Sequence, residues 1–218
     1  MYKYIFFDLD GTITDSKEGI TKSISYALIN LGYKVPPVEE LYVFIGPPLK
    51  DSFLKYFKMD EETAKEAVRL YRERYSDVGK FECTPYEGIE ELLKRLHEDN
   101  RKLLIASSKP TEFVNDILKH FNIWQYFDII SGADMAGLKG EKEDVIREAL
   151  RLGNITDENK KDVVMIGDRH YDINGAKIFG LDSIGVQYGF AESETELADA
   201  GATYVVDTVE ELSRLLLS

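Results

Sequence analysis

Apolar residues collect in short, nearly unbroken runs at residues 2–9, 102–106, 127–131, 162–166 and 182–186. Runs of this length without polar alternation predict strands buried on both faces, the pattern of a parallel sheet. The first, Tyr4-Ile5-Phe6-Phe7, passes directly into Asp8-Leu9-Asp10-Gly11, so the strand ends by delivering two carboxylates at its C-terminal tip. Helical spacing fills the intervals at residues 89–98, 112–120, 142–152 and 172–179. Strand and helix in alternation predict an α/β fold with a doubly wound, Rossmann-like parallel sheet, whose ligands bind at the carboxyl ends of the strands.

Residues 16–79 break this rhythm. Ile20, Ile24, Ala27, Leu28 and Leu31, then Ala64, Ala67, Val68 and Tyr71, keep a helical period with no buried strand between them. This predicts an all-helical domain at residues 16–79 inserted into a core made of residues 1–15 and 80–218. Phe121 and Trp124 are expected to plug the core. The acidic stretches 60–62 and 192–196 are expected to be solvated helix starts.

Composition narrows the function. A hydrophobic content of 44% supports a real core, while a net charge of −13 and a pI near 4.8 exclude a role that depends on gripping a nucleic-acid backbone. No apolar run is long enough for a membrane span, and the first residues lack the features of a signal peptide. Cys83 is the only cysteine, which fits a reducing, cytoplasmic setting. An acidic protein can still take an anionic substrate where a metal and a few local cations reverse the potential of one cleft.

Four segments supply groups for that. In Asp8-Leu9-Asp10-Gly11-Thr12, one carboxylate can attack phosphorus and the second can protonate a leaving oxygen, with Gly11 allowing a tight turn. Gly167-Asp168-Arg169-His170-Tyr171-Asp172 follows another apolar run, and its two carboxylates suit a hard, oxygen-ligated cation such as Mg2+. His170 is not expected to be a ligand, because such a cation prefers oxygen. Ser107 and Ser108 end a third strand just before a helix, where hydroxyls and N–H groups bind anions or cap the helix. Lys139 or Lys142, ahead of the next helix, offers the cation needed between carboxylates and phosphate.

The order of these segments resembles the haloacid dehalogenase superfamily of phosphatases, in particular members with a helical cap inserted after the first motif. The resemblance covers the whole chain and implies an Mg2+-dependent phosphomonoester hydrolase acting through an aspartyl-phosphate on a small phosphorylated metabolite. It makes Asp8 the nucleophile and Asp10 the acid/base. It gives phosphate contacts to Gly11, Thr12, Ser107, Ser108 and Lys142, the last preferred to Lys139 because Lys142-x-x-Val145-Ile146 matches the family's lysine-to-helix spacing. Mg2+ would be held by Asp8, the main-chain carbonyl of Asp10 and Asp168, with Asp172 in support. Asp15-Ser16, Ile45-Gly46-Pro47-Pro48-Leu49 and Pro85-Tyr86-x-Gly88 look like the branch of phosphoglycolate phosphatases and 5′-nucleotidases. Phe44 and Lys50, flanking the Gly-Pro-Pro turn, are candidates for substrate choice. Two alternatives are a sugar-phosphate mutase, which keeps the Asp-x-Asp pair, and a receiver-like phospho-acceptor, which lacks both that pair and the helical insertion.

Overall fold

The computed structural model describes residues 1–135 and 140–218. The chain divides into two compact units, residues 1–14 with 85–218, and residues 15–84.

The larger unit is built on a six-stranded sheet: β1 (Tyr4–Phe7), β2 (Lys102–Pro110), β3 (Ile129–Ala133), β4 (Val163–Gly167), β5 (Asp182–Val186) and β6 (Tyr204–Val206). Its order is β3-β2-β1-β4-β5-β6, and every neighbouring pair is parallel. Tyr4 is in register with both Lys102 and Val163, and Phe7 with both Ile105 and Ile166, so β1 ends at Phe7 level with Ile105 and Ile166, while β2 runs on to Pro110. This is a doubly wound order whose direction of winding reverses at β1, the place where such sheets open a crevice for ligands.

Ile5, Phe6, Phe7, Leu103, Leu104, Ile105 and the four residues from Val163 to Ile166 are all fully buried, which is why these strands read as continuous apolar runs. On one face Phe6, Leu104, Ala106 and Met165 pack with Val145, Ile146, Ala149 and Leu150 of one helix and Ala176 of another. Each large side chain buried in this way contributes roughly 1.5–3 kcal/mol. That core offsets the cost of the charges held at the sheet's edge. The sequence pattern did not announce β6 or the C-terminal helix Val209–Leu217, and Trp124 does not plug the core: it is 44% exposed, its Nε1 donating to Asn115 Oδ1 at 2.9 Å.

The smaller unit holds α1 (Lys17–Asn30), α2 (Leu49–Phe57) and α3 (Glu61–Asp77). Asp60 caps α3 by accepting from the Thr63 N–H at 2.7 Å. Its second boundary falls after Thr84 rather than at residue 79, because the Glu82 carbonyl accepts from Gly19 N at 2.9 Å and the Glu82 carboxylate pairs with Arg74 at 2.7 Å and Lys22 at 3.1 Å. No helix among the described residues is long and apolar enough to cross a membrane.

Candidate active site

Asp8 follows the last residue of β1, and its N–H still bonds to Ile166 O at 2.9 Å, so the ladder carries it into place. The chain then turns back at once. The Leu9 carbonyl accepts from Thr12, Ile13 and Thr14 N–H groups at 3.3, 2.9 and 3.0 Å, and Gly11 N donates to Thr14 O at 2.8 Å. Gly11 takes φ +81°, and a Cβ there would lie 2.0 Å from Asp168 Oδ2. Only glycine fits both the backbone and the space.

That close approach brings the first segment onto the loop after β4. Asp8, Asp168 and Asp172 place one carboxylate oxygen each within 4.8 Å of one another, and all three are buried. Lys142, at the first position of the helix Lys142–Leu152, reaches into the same space. Its Nζ lies 3.0 Å from Asp8 Oδ1 and 2.7 Å from Asp172 Oδ1, and donates to Ala106 O at 3.0 Å. Lys139 lies outside the described residues.

The electrostatics of this cluster are unbalanced. Burial alone would lower the Lys142 pKa, but Asp172 and Asp8 outweigh it and hold the ammonium above its ordinary range. Burial pushes Asp168 well above the usual carboxylate range, reinforced by Asp172 and Asp8 and only partly offset by the Phe190 N–H, which donates to Asp168 Oδ2 at 2.7 Å. Burial likewise raises Asp172 to about 6, against the pull of Lys142. Asp168 Oδ1 has no hydrogen-bond partner among the described residues. Three carboxylates against one ammonium leave two formal negative charges, the complement of a divalent ion, and an all-oxygen donor set suits a hard cation. The residues fit such an ion.

Ser107 is buried at the sheet's edge, where its Oγ accepts from Lys109 N at 3.3 Å; Ser108 is half-buried beside it. Thr12 is fully buried and its Oγ1 has no hydrogen-bond partner among the described residues. The Asp10 carboxylate stands apart from the trio and forms its own buried pair, Oδ2 to Lys109 Nζ at 2.8 Å. Lys109 is a site residue that the sequence reading did not single out.

The acidic stretch after β5 is not simply solvated. Buried Arg169 binds Glu196 through Nε at 3.0 Å and Glu192 through Nη2 at 2.6 Å, while Glu196 also accepts from His170 N at 2.8 Å and lies 2.7 Å from His170 Nδ1. Burial opposes the Glu196 charge, but these donors hold its pKa down to about 2. His170 is thus engaged away from the carboxylate trio. In the smaller unit, Phe44 is not the open aromatic face expected of it. It is 2% exposed, with its ring 5.0 Å from that of Phe53 and 5.9 Å from that of Phe57. Lys50 forms an exposed ion pair with Glu61.

Comparison with known proteins places these features in context. The model of the family described as haloacid dehalogenase-like hydrolase matches residues 5–186. A protein named 5′-nucleotidase from Pseudomonas aeruginosa is 41% identical over 217 residues, covering 100% of this chain and 96% of that one. A protein named tyrosine-protein kinase PtkA from Mycobacterium tuberculosis is 36% identical, covering 97% of this chain and 72% of its own length. The crystal structure of a predicted phosphatase from Clostridium acetobutylicum superposes with a TM-score of 0.94 at 47% identity, covering 100% of this chain and 99% of that one.

Proposed function

The chain belongs to the haloacid dehalogenase-like hydrolase family as one of its phosphatases, and from that premise we propose that it is an Mg2+-dependent phosphomonoesterase acting on nucleoside 5′-monophosphates. The observation that carries the chemistry is the buried convergence of Asp8, Asp168, Asp172 and Lys142 at the strand ends. The choice of substrate is supported by end-to-end similarity to the protein named 5′-nucleotidase. Cys83 as sole cysteine fits a cytoplasmic setting.

In this mechanism Asp8 attacks phosphorus in line and forms an aspartyl-phosphate, while Asp10 gives a proton to the departing alkoxide. Asp10 then takes a proton from the water that hydrolyses the acyl phosphate. Lys142, Ser107 and the backbone around Gly11 and Thr12, with Ser108 at the rim, receive the charge on the transferring oxygens. Mg2+ held by Asp8, Asp168 and the Asp10 carbonyl, with Asp172 alongside, would neutralise the phosphate and fix its orientation. Lys50, whose ion pair with Glu61 is exposed and weak, remains our candidate for selecting a second anionic group such as the carboxylate of phosphoglycolate.

Phosphate release measured with Mg2+ across nucleoside 5′-monophosphates, phosphoglycolate, pyrophosphate and sugar phosphates tests the proposal. The highest kcat/KM is expected for a nucleotide. A higher value for phosphoglycolate would reassign the substrate, isomerised sugar phosphate without phosphate release would point to a mutase, and no release from any ester would remove the phosphatase reading.

The carboxylate trio makes a separate prediction about stability. Because the folded-state pKa of Asp168 is raised, its burial costs nothing below the unfolded carboxylate pKa near 3.8, and the cost grows as pH rises towards the raised value. Asp168→Asn removes that cost while keeping an oxygen for the Phe190 N–H. In chelator at pH 8 the variant is expected to melt several degrees above the parent, and the gap to close as pH falls towards 4. Added Mg2+ should raise the Tm of the parent and leave the variant nearly unchanged. A variant less stable than the parent at pH 8, with the same Mg2+ response, would contradict the picture.

A further inference from the structure

We propose that Lys109 is the positioning residue for the proton-transfer group, gripping one oxygen of Asp10 so that the other is the one presented to the leaving group. The inference rests on the reading of Asp10 as acid/base.

Its local cause is a break in the sheet. β2 pairs with β3 residue by residue from Leu104 with Ile129 to Ser107 with Gly132, and then the register shifts, so that the next partners are Pro110 and Ala133. A bulge of this kind re-aims a side chain. Gly132 makes room for it, since a Cβ there would stand 2.6 Å from Lys109 O and 2.8 Å from Thr111 N. Ser107 Oγ accepts the Lys109 N–H at 3.3 Å, and Pro110 then sets the start of the helix Thr111–His120. The lysine, at the end of an apolar strand, is thereby buried to 7% exposure with its ammonium 2.8 Å from Asp10 Oδ2.

The two oxygens of Asp10 are therefore unequal. Oδ2 is held by a buried ammonium, whereas Oδ1 is buried with no hydrogen-bond partner among the described residues. A buried acceptor left unpaired in this way costs about 1–3 kcal/mol, and such atoms concentrate where function requires them. Without its partner the short Asp10 side chain would be free to rotate, and either oxygen could turn away from the leaving group. Proton transfer needs hydrogen-bond reach, so losing this orientation costs the acid's share of the rate rather than phosphate binding.

The test uses kcat/KM, which reports steps through formation of the aspartyl-phosphate, on AMP and on p-nitrophenyl phosphate. The alkoxide of AMP needs a proton to leave; p-nitrophenolate does not. Lys109→Met is expected to lower kcat/KM for AMP by about 10²-fold, at the lower end of what a general acid supplies, and to change the value for p-nitrophenyl phosphate only slightly. Asp10→Asn should show the same selectivity, and adding Lys109→Met to Asp10→Asn should cause no further loss on AMP. The double variant removes both members of the Asp10–Lys109 pair together, so it carries the test even where Lys109→Met alone fails to fold. Equal losses on both substrates, or a further loss in the Asp10→Asn background, would make Lys109 a phosphate contact or a structural lysine and overturn the proposal. Should Asp10→Asn itself show no selectivity for AMP, the acid/base reading fails and the positioning role falls with it.

Discussion

Asp8→Asn is expected to lower kcat for nucleotide hydrolysis by about 10⁴-fold or more, the scale of removing a covalent nucleophile. The substitution is nearly isosteric and takes one charge out of an overcharged, buried trio. The protein should therefore fold, with stability in chelator equal to or above that of the parent. Turnover assayed alongside thermal melting separates the two effects. Trapping with radiolabelled substrate should label the parent and leave the variant unlabelled. Parental turnover in a preparation shown by mass spectrometry to be free of deamidation would mean that another group attacks phosphorus.

Lys142→Met is expected to be damaging in a different way, losing stability as well as rate. Its ammonium is shared between Asp8 and Asp172 and lies in the interior, so its removal leaves two carboxylates facing each other with nothing between them. Breaking one side of a buried ion pair costs about 3–5 kcal/mol, and loss of a single oxyanion-stabilising group costs about 10²–10³ in kcat. Denaturant unfolding without metal should show the stability loss, and saturating Mg2+ should recover much of it by restoring positive charge. The rate loss should persist at saturating Mg2+. If Mg2+ restored turnover as well, Lys142 would serve only to hold the carboxylates together.

The parts of the site visible in the sequence are those on which strand and motif agree. Asp8 and Asp168 each follow a run buried on both faces, and a polar residue at such a terminus has few places to go other than the sheet's edge. Lys142 was preferred to Lys139 because its spacing to Val145 and Ile146, which the helix turns into the core, matches that of the family the chain resembles. Lys109 was hidden because its pairing depends on a register shift against β3, a fact about two strands rather than one. The available signal was a lysine closing an apolar strand directly before proline. Glu196 was hidden for a similar reason, since its partner Arg169 lies 27 residues earlier and belongs to a different strand–helix connection. Phe44 misled because the Gly-Pro-Pro turn marks where the chain bends, not which way the ring before it faces. Tyr204–Val206 is too short, and two of its three residues too exposed, to leave an apolar run.

The tight loop after β1 has one more consequence. Ile13 O, near its end, accepts the N–H of Tyr86 at 3.0 Å, so the larger unit is laced shut at the point where residues 15–84 leave and rejoin it. A splice closed by its own backbone makes the inserted helices a replaceable cassette. Another sequence of suitable end-to-end reach could be grafted between Thr14 and Pro85 while β1, its carboxylates and their lysines keep their places, and closing a longer graft costs only about 0.6 kcal/mol for each doubling of its length. The catalytic groups and the inserted helices can then vary independently of each other.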